Sequence, residues 1–126
     1  METFGVVMAA TAGAAIFVVG CLYLLVPRVM AASFGLTSLP EEPAIPWLRV
    51  KGVRDLVAGV VAAVLLFTAD PLVLAWCVLA FTLIPIGDAV LVLSSKGRKV
   101  AAWGIHGSTA ALMLISVLLI LGSGWQ

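Results

Sequence analysis

Four long apolar runs, broken by one extended connection and two short ones, take up nearly all of a 126-residue chain. They extend from about Phe4 to Val26, Trp47 to Ala69, Leu72 to Ser94 and Val100 to Leu121. Each is close to the ~20 residues that carry a helix across a hydrocarbon core of ~30 Å. Apolar and polar positions do not alternate within them, which argues against barrel strands. Helices satisfy their backbone groups internally, as lipid requires. The pattern predicts an all-α, integral membrane four-helix bundle, with residues 1–126 as a single transmembrane domain.

The breaks have local causes. Pro27-Arg28 closes the first run, Asp70-Pro71 supplies a turn and a helix start, and "SSKGRK" separates the third run from the fourth. The chain opens Met1-Glu2-Thr3, without the positive segment of a secretory signal, so the first run is expected to be a retained span. Residues 27–46 form a connection longer than is usual in compact domains. Val29, Met30, Phe34 and Leu36 make its middle apolar enough to lie in the membrane interface, as a cover over one face or as a plain connector.

An even number of spans puts both termini on one side. Arg28, Lys96, Arg98 and Lys99, with Arg49 and Lys51 at a span entrance, all fall on the opposite side. The positive-inside rule then turns the termini outward and the basic connections to the cytoplasm, with a bacterial inner (plasma) membrane as the expected location. Trp47 and Trp103 near the cytoplasmic ends, and Trp76 and Trp125 near the outer ones, suit interfacial aromatic belts.

Composition narrows the partners. The chain is 63% hydrophobic and 10% charged, against roughly 25% charged in soluble domains. Its formal net charge is +1, with no basic face interleaved with aromatics, so nucleic acid is not an expected partner and membrane lipids are. Cys21 and Cys77 fall near opposite ends of their runs and are expected to be unbridged packing residues. With one histidine and no paired cysteines, zinc patterns are missing and no cofactor is expected; a hard cation between Asp55 and Asp88 is the remaining metal option.

Ionisable groups inside spans cost about 2.5 to 3.5 kcal/mol each at the centre, and by default they mark function. Asp88 lies seven residues before Ser95, and His106 seven after Lys99. At 1.5 Å per residue both sit roughly 10 Å inside the cytoplasmic end. Asp55, beside Arg54, reaches a similar depth on the second run, and Tyr23 does so on the first. Trp47, Lys51, Asp55 and Gly59 recur at spacing four along one helical face, with Arg54 turned by about 100° from Asp55. Pro85 is expected to kink the third span, Gly87 to thin it, and Gly104, Gly107 and Ser108 to admit close helix approach around His106.

A polar chamber with Asp88, Asp55 and His106 as catalytic candidates follows. Its candidate binding groups are Arg49, Lys51, Arg54, Tyr23, Trp47 and Trp103. Equally open on these grounds is a packing network in which Asp55 pairs with Lys51 or Arg54, Asp88 pairs with Arg54, and His106 bonds Asp88.

The stretches "RVKGVRDLVAG", "PIGDAV" and "GIHGSTA" together resemble a family of small four-span membrane proteins filed as a domain of unknown function, broadly similar to the DoxX-like group. The resemblance covers most of the chain and implies a fold but no activity.

Two functions are compatible with the residues. One is a cofactor-independent membrane isomerase or cyclase acting on a lipophilic small molecule by isomerisation, cyclisation or epoxide opening. Asp88 would be the acid, Asp55 the base and His106 the orienting group. The other is a ligand-binding or proton-coupled transport component, or a structural subunit of a membrane complex. A transporter this small would need a homo-oligomer, for which Ala9 and Gly13 offer a surface of small residues.

Overall fold

The computed structural model describes residues 1–123. Five helical rods are present and, among the described residues, no strand. Helix α1 spans Glu2–Leu25, α2 Pro27–Phe34 and α3 Ile45–Thr68. The fourth rod joins α4 (Pro71–Phe81) to α5 (Leu83–Ser94). The fifth runs from α6 (Lys99–Ala101) through a π-helical turn, Ala102–Gly107, into α7 (Ser108–Leu121). Three rods, Glu2–Leu25, Pro71–Ser94 and Lys99–Leu121, are long and apolar enough to cross a membrane. Helix α3 has the same 24 residues as α1 but carries Arg49, Lys51, Arg54 and Asp55 in its first half.

Prolines and caps set the ends. Val26, restricted by the following Pro27, leaves helical geometry at φ −132°, and α2 restarts with Pro27 in its first turn. Gly35, at φ 109°, ends α2. Asp70 caps α4 by accepting from the N–H groups of Leu72 and Val73 at 3.0 and 3.1 Å.

The interruption of the fourth rod falls at Thr82, a turn before the proline expected to cause it. Pro85 has no N–H to give the carbonyl of Phe81, four residues back. The Thr82 hydroxyl instead bonds the Val78 carbonyl at 2.8 Å, a backbone contact that favours bending.

Helices α1 and α3 run antiparallel along a glycine seam. A Cβ on Gly20 would overlap the backbone of Leu56, one on Gly52 would reach Tyr23 Cβ at 2.9 Å, and one on Gly13 would reach Ala62 Cβ at 2.8 Å. Close approach therefore occurs here and not at the glycines expected to provide it, since Gly87 and Gly104 both face open space. Ala9 and Gly13 are buried inside the molecule and are not surface for a second copy.

On its other side α1 packs against α7: Ser116, fully buried, donates to the Gly5 carbonyl at 2.7 Å. Ala9, Leu74, Ala75, Val78, Met113, Val117 and Ile120 fill the core at this end. Ser123 Oγ lies 3.4 Å from Glu2 Oε2, so the start of α1 and the end of α7 adjoin. The outer faces are apolar, with Phe4, Phe67, Val100 and Leu118 each more than two-thirds exposed, a surface a soluble monomer rarely presents.

Candidate functional site

Asp88 on α5 and His106 in the π-helical turn face each other at the end of the bundle covered by α2. His106 Nε2 is 3.0 Å from the Phe34 carbonyl. A carbonyl only accepts, so Nε2 carries a proton. The other nitrogen, Nδ1, points at Asp88 Oδ2 across 3.7 Å, a separation too long for a hydrogen bond and short enough for one proton to serve both groups after a small movement. π-helical turns of this kind concentrate at functional sites.

The first half of α3 supplies the next pair. Lys51 Nζ donates to Asp55 Oδ2 at 2.7 Å, with Asp55 buried. The same ammonium lies 5.1 Å from the centre of the Tyr23 ring and 5.6 Å from that of Phe34, within reach of both aromatic faces. Tyr23 is buried against α3. Its hydroxyl reaches the Met30 carbonyl at 3.4 Å.

Helix α2 closes this end through its own unpaired carbonyls, the groups a helix C-terminus leaves without partners. Met30 accepts from Tyr23 and Ser33, Ala32 from Arg98 Nη2 at 2.8 Å, and Phe34 from His106. The Gly35 carbonyl takes the Arg98 N–H at 2.7 Å. A Cβ on Gly35 would reach that of Ala101 at 2.5 Å, so glycine is required there by space as well as by φ. The connection therefore lies as a cover, pinned at its exposed edge by an ion pair between Arg28 and Glu42.

Beneath the cover is a cavity of about 200 Å³. Its body is apolar, with Ala12, Ile16 and Met113 in the wall; Tyr23, Lys51, Asp88 and His106 gather at one end beside Phe34.

Of the residues singled out in the sequence, Asp88, His106, Lys51 and Tyr23 share this cavity. Asp55 is held behind Lys51 and does not line the cavity, so it acts on the cavity through Lys51 and is not placed as a base. Arg49, Arg54, Trp47 and Trp103 are exposed and do not line it either. The adjacent pair Arg54-Asp55 divides, arginine outward and aspartate inward, as their 100° offset demands.

Cys21 and Cys77 are free. Asp55 and Asp88 have Lys51 and His106 as neighbours, and no three metal-ligating side chains cluster among the described residues. Trp125 lies outside the described residues.

Phe34 and Arg98 join the site without having been candidates. Phe34 packs on the His106 ring with centres 4.7 Å apart and planes tilted by 59°, and Arg98 holds the cover. The Phe34-Gly35 pair, an apolar residue followed by a helix-ending glycine, is the local signal for the first; for Arg98 the sequence carries only a charge.

No curated protein and no solved structure matches this chain. A family match does extend over residues 13–120, from the first glycine of the α1–α3 seam to the last core residue of α7, taking in the cover and every polar group of the cavity. The chain belongs to that family, described as Domain of unknown function (DUF4267).

Proposed function

We propose that the protein is a four-span membrane protein whose cavity admits a small lipophilic molecule and performs acid–base chemistry on it: isomerisation, cyclisation or epoxide opening. The observation that carries this reading is a carboxyl and an imidazole, 3.7 Å apart, at one end of an otherwise apolar cavity. Asp88 gives or takes the proton at the ligand. His106, fixed by its bond to Phe34, returns it through Nδ1. Lys51, paired with Asp55, faces a ligand oxygen and steadies negative charge developing on it.

In this reading α3 is the fourth span. Its charges lie in the half of the molecule that bears α2, where the other basic residues Arg28, Lys96, Arg98 and Lys99 also sit. That end faces the cytoplasm of a bacterial inner membrane, and the adjoining ends of α1 and α7 face outward. Exposed Trp47, Trp76 and Trp103 suit interfacial positions. Kinship with the broader DoxX-like group is inferred from the quoted motifs alone.

The test is conversion. Protein in lipid nanodiscs is incubated with a lipophilic extract of its host cells, and the products are followed by untargeted mass spectrometry. The wild type is expected to convert a component to one of equal mass or heavier by one water. Asp88→Asn, equally folded by circular dichroism, is expected to convert none. No conversion by the wild type, or unchanged conversion by Asp88→Asn, overturns the reading.

A further inference from the structure

Charge and volume at the cavity together define what it can hold, a step that rests on the cavity being a ligand site. Lys51 and Asp55 neutralise each other at 2.7 Å. Oδ2 and Nδ1 face each other at 3.7 Å, an approach of two lone pairs that one proton on either atom relieves, and with that proton Asp88 and His106 are together neutral. The four groups therefore balance before any ligand enters, and a net charge added at this depth has no free counter-charge to meet.

An incoming carboxylate or phosphate would face the Asp88 carboxyl, with the nearest cation already committed to Asp55. An incoming ammonium would meet Lys51, whose charge occupies the faces of both Tyr23 and Phe34. A neutral oxygen meets neither obstacle. It can accept from Lys51 Nζ, which has donors left after its bond to Asp55, and from whichever of Asp88 and His106 carries a proton on its facing atom.

Size favours a small ligand. A cavity of about 150 Å³ lined by apolar side chains holds one benzene. The 200 Å³ here leaves room for a ring with a short arm.

We infer that the cavity selects a compact, uncharged lipophile carrying a single oxygen function, an alcohol, ketone or epoxide, and rejects fatty-acid-like anions and amphiphilic amines of the same size.

The chain offers a site-specific reporter, because His106 is its single histidine. Protein labelled with ¹⁵N-histidine in nanodiscs is titrated with 2-phenylethanol, phenylacetate and 2-phenylethylammonium, three probes alike in size and different in charge. The alcohol is expected to shift the His106 resonance saturably, at a midpoint at least tenfold lower than either ion.

An ion with a midpoint equal to or lower than the alcohol's overturns the selectivity and leaves the ligand site standing. A resonance that none of the three moves overturns the ligand site as well. Val19→Phe, which fills the apolar wall one turn from Tyr23, is expected to abolish the shift by the alcohol while the His106 resonance of the free protein persists. A shift of undiminished size in that variant places the probe outside the cavity and overturns the inference.

Discussion

Helix α1 has two neighbourhoods that differ in almost every physical respect. Along α3 it packs backbone to backbone: Gly20 against Leu56, Gly52 against Tyr23 and Gly59 against Phe17, with no room for one added methyl. Toward α4 and α5 its alanines and Ile16 border a cavity, and the polar groups gather there. In lipid, where apolar side chains gain little by leaving the solvent, helices associate through close van der Waals contact and hydrogen bonds. The seam is that contact at full density. The other side gives up density beyond the core of Ala9, Val78 and Met113, and there the cover is held by polar links, Arg98 to Ala32 and His106 to Phe34. One side is a hinge-free support, and the other is a container.

Breaking the container's ion pair is expected to have the largest effect on stability. Lys51→Met leaves a buried carboxylate without a partner and should cost about 3 kcal/mol. Arg54→Met, one turn of charge away but exposed, should change stability by no more than about 0.5 kcal/mol. The double variant Lys51→Met with Asp55→Leu should recover most of the loss, because the stranded charge is gone. Reversible unfolding in bicelles measures all three. Equal losses in Lys51→Met and Arg54→Met would remove the distinction between the inward and outward charges of α3.

A single methyl tests the seam. Gly20→Ala places a Cβ against the Leu56 backbone, which cannot move aside as a side-chain tip could, and should cost about 2 kcal/mol. Gly87→Ala enters open space and should be nearly neutral. Similar costs at the two positions in the same unfolding assay would contradict a seam that includes Gly20 and leaves out Gly87.

These two glycines also show how much could be read without coordinates. The four long rods, their approximate ends and the shared end of Asp88 and His106 follow from hydropathy, proline position and depth, because those depend on chain-local quantities; helix α2, read as a connection, does not. Which glycine meets a neighbour does not follow, since Gly20 and Gly87 have similar surroundings in sequence and opposite ones in space. The division of Arg54 from Asp55 was accessible as a rotation of 100°, though not which of them turned inward. The cover depends on backbone carbonyls of α2, and carbonyls leave no mark in a sequence. The π-helical turn that carries His106 was equally invisible, as nothing in "AWGIHG" distinguishes one extra residue per turn.

Among the disruptive changes, the smallest expected effect concerns the cover. Arg98→Ala removes the bond to the Ala32 carbonyl while leaving the backbone link to Gly35, and should cost about 1 kcal/mol. Its signature is local. Amide hydrogen exchange should speed up across Pro27–Phe34 and remain unchanged across the α1–α3 seam, because regions held by few contacts open independently. Faster exchange along the seam as well would mean that the two neighbourhoods are not separable.

The central claim is that side chains from α1, α2, α3, α5 and the π-helical turn converge on one pocket. The ¹⁵N spectrum of the single histidine tests it most directly. It should show a ring protonated at Nε2, and the resonance should move on substitution of Asp88→Asn, Phe34→Leu or Lys51→Met while staying in place for Arg49→Gln and Arg54→Gln. A signal indifferent to Asp88→Asn, or one displaced as far by Arg54→Gln, would contradict the account.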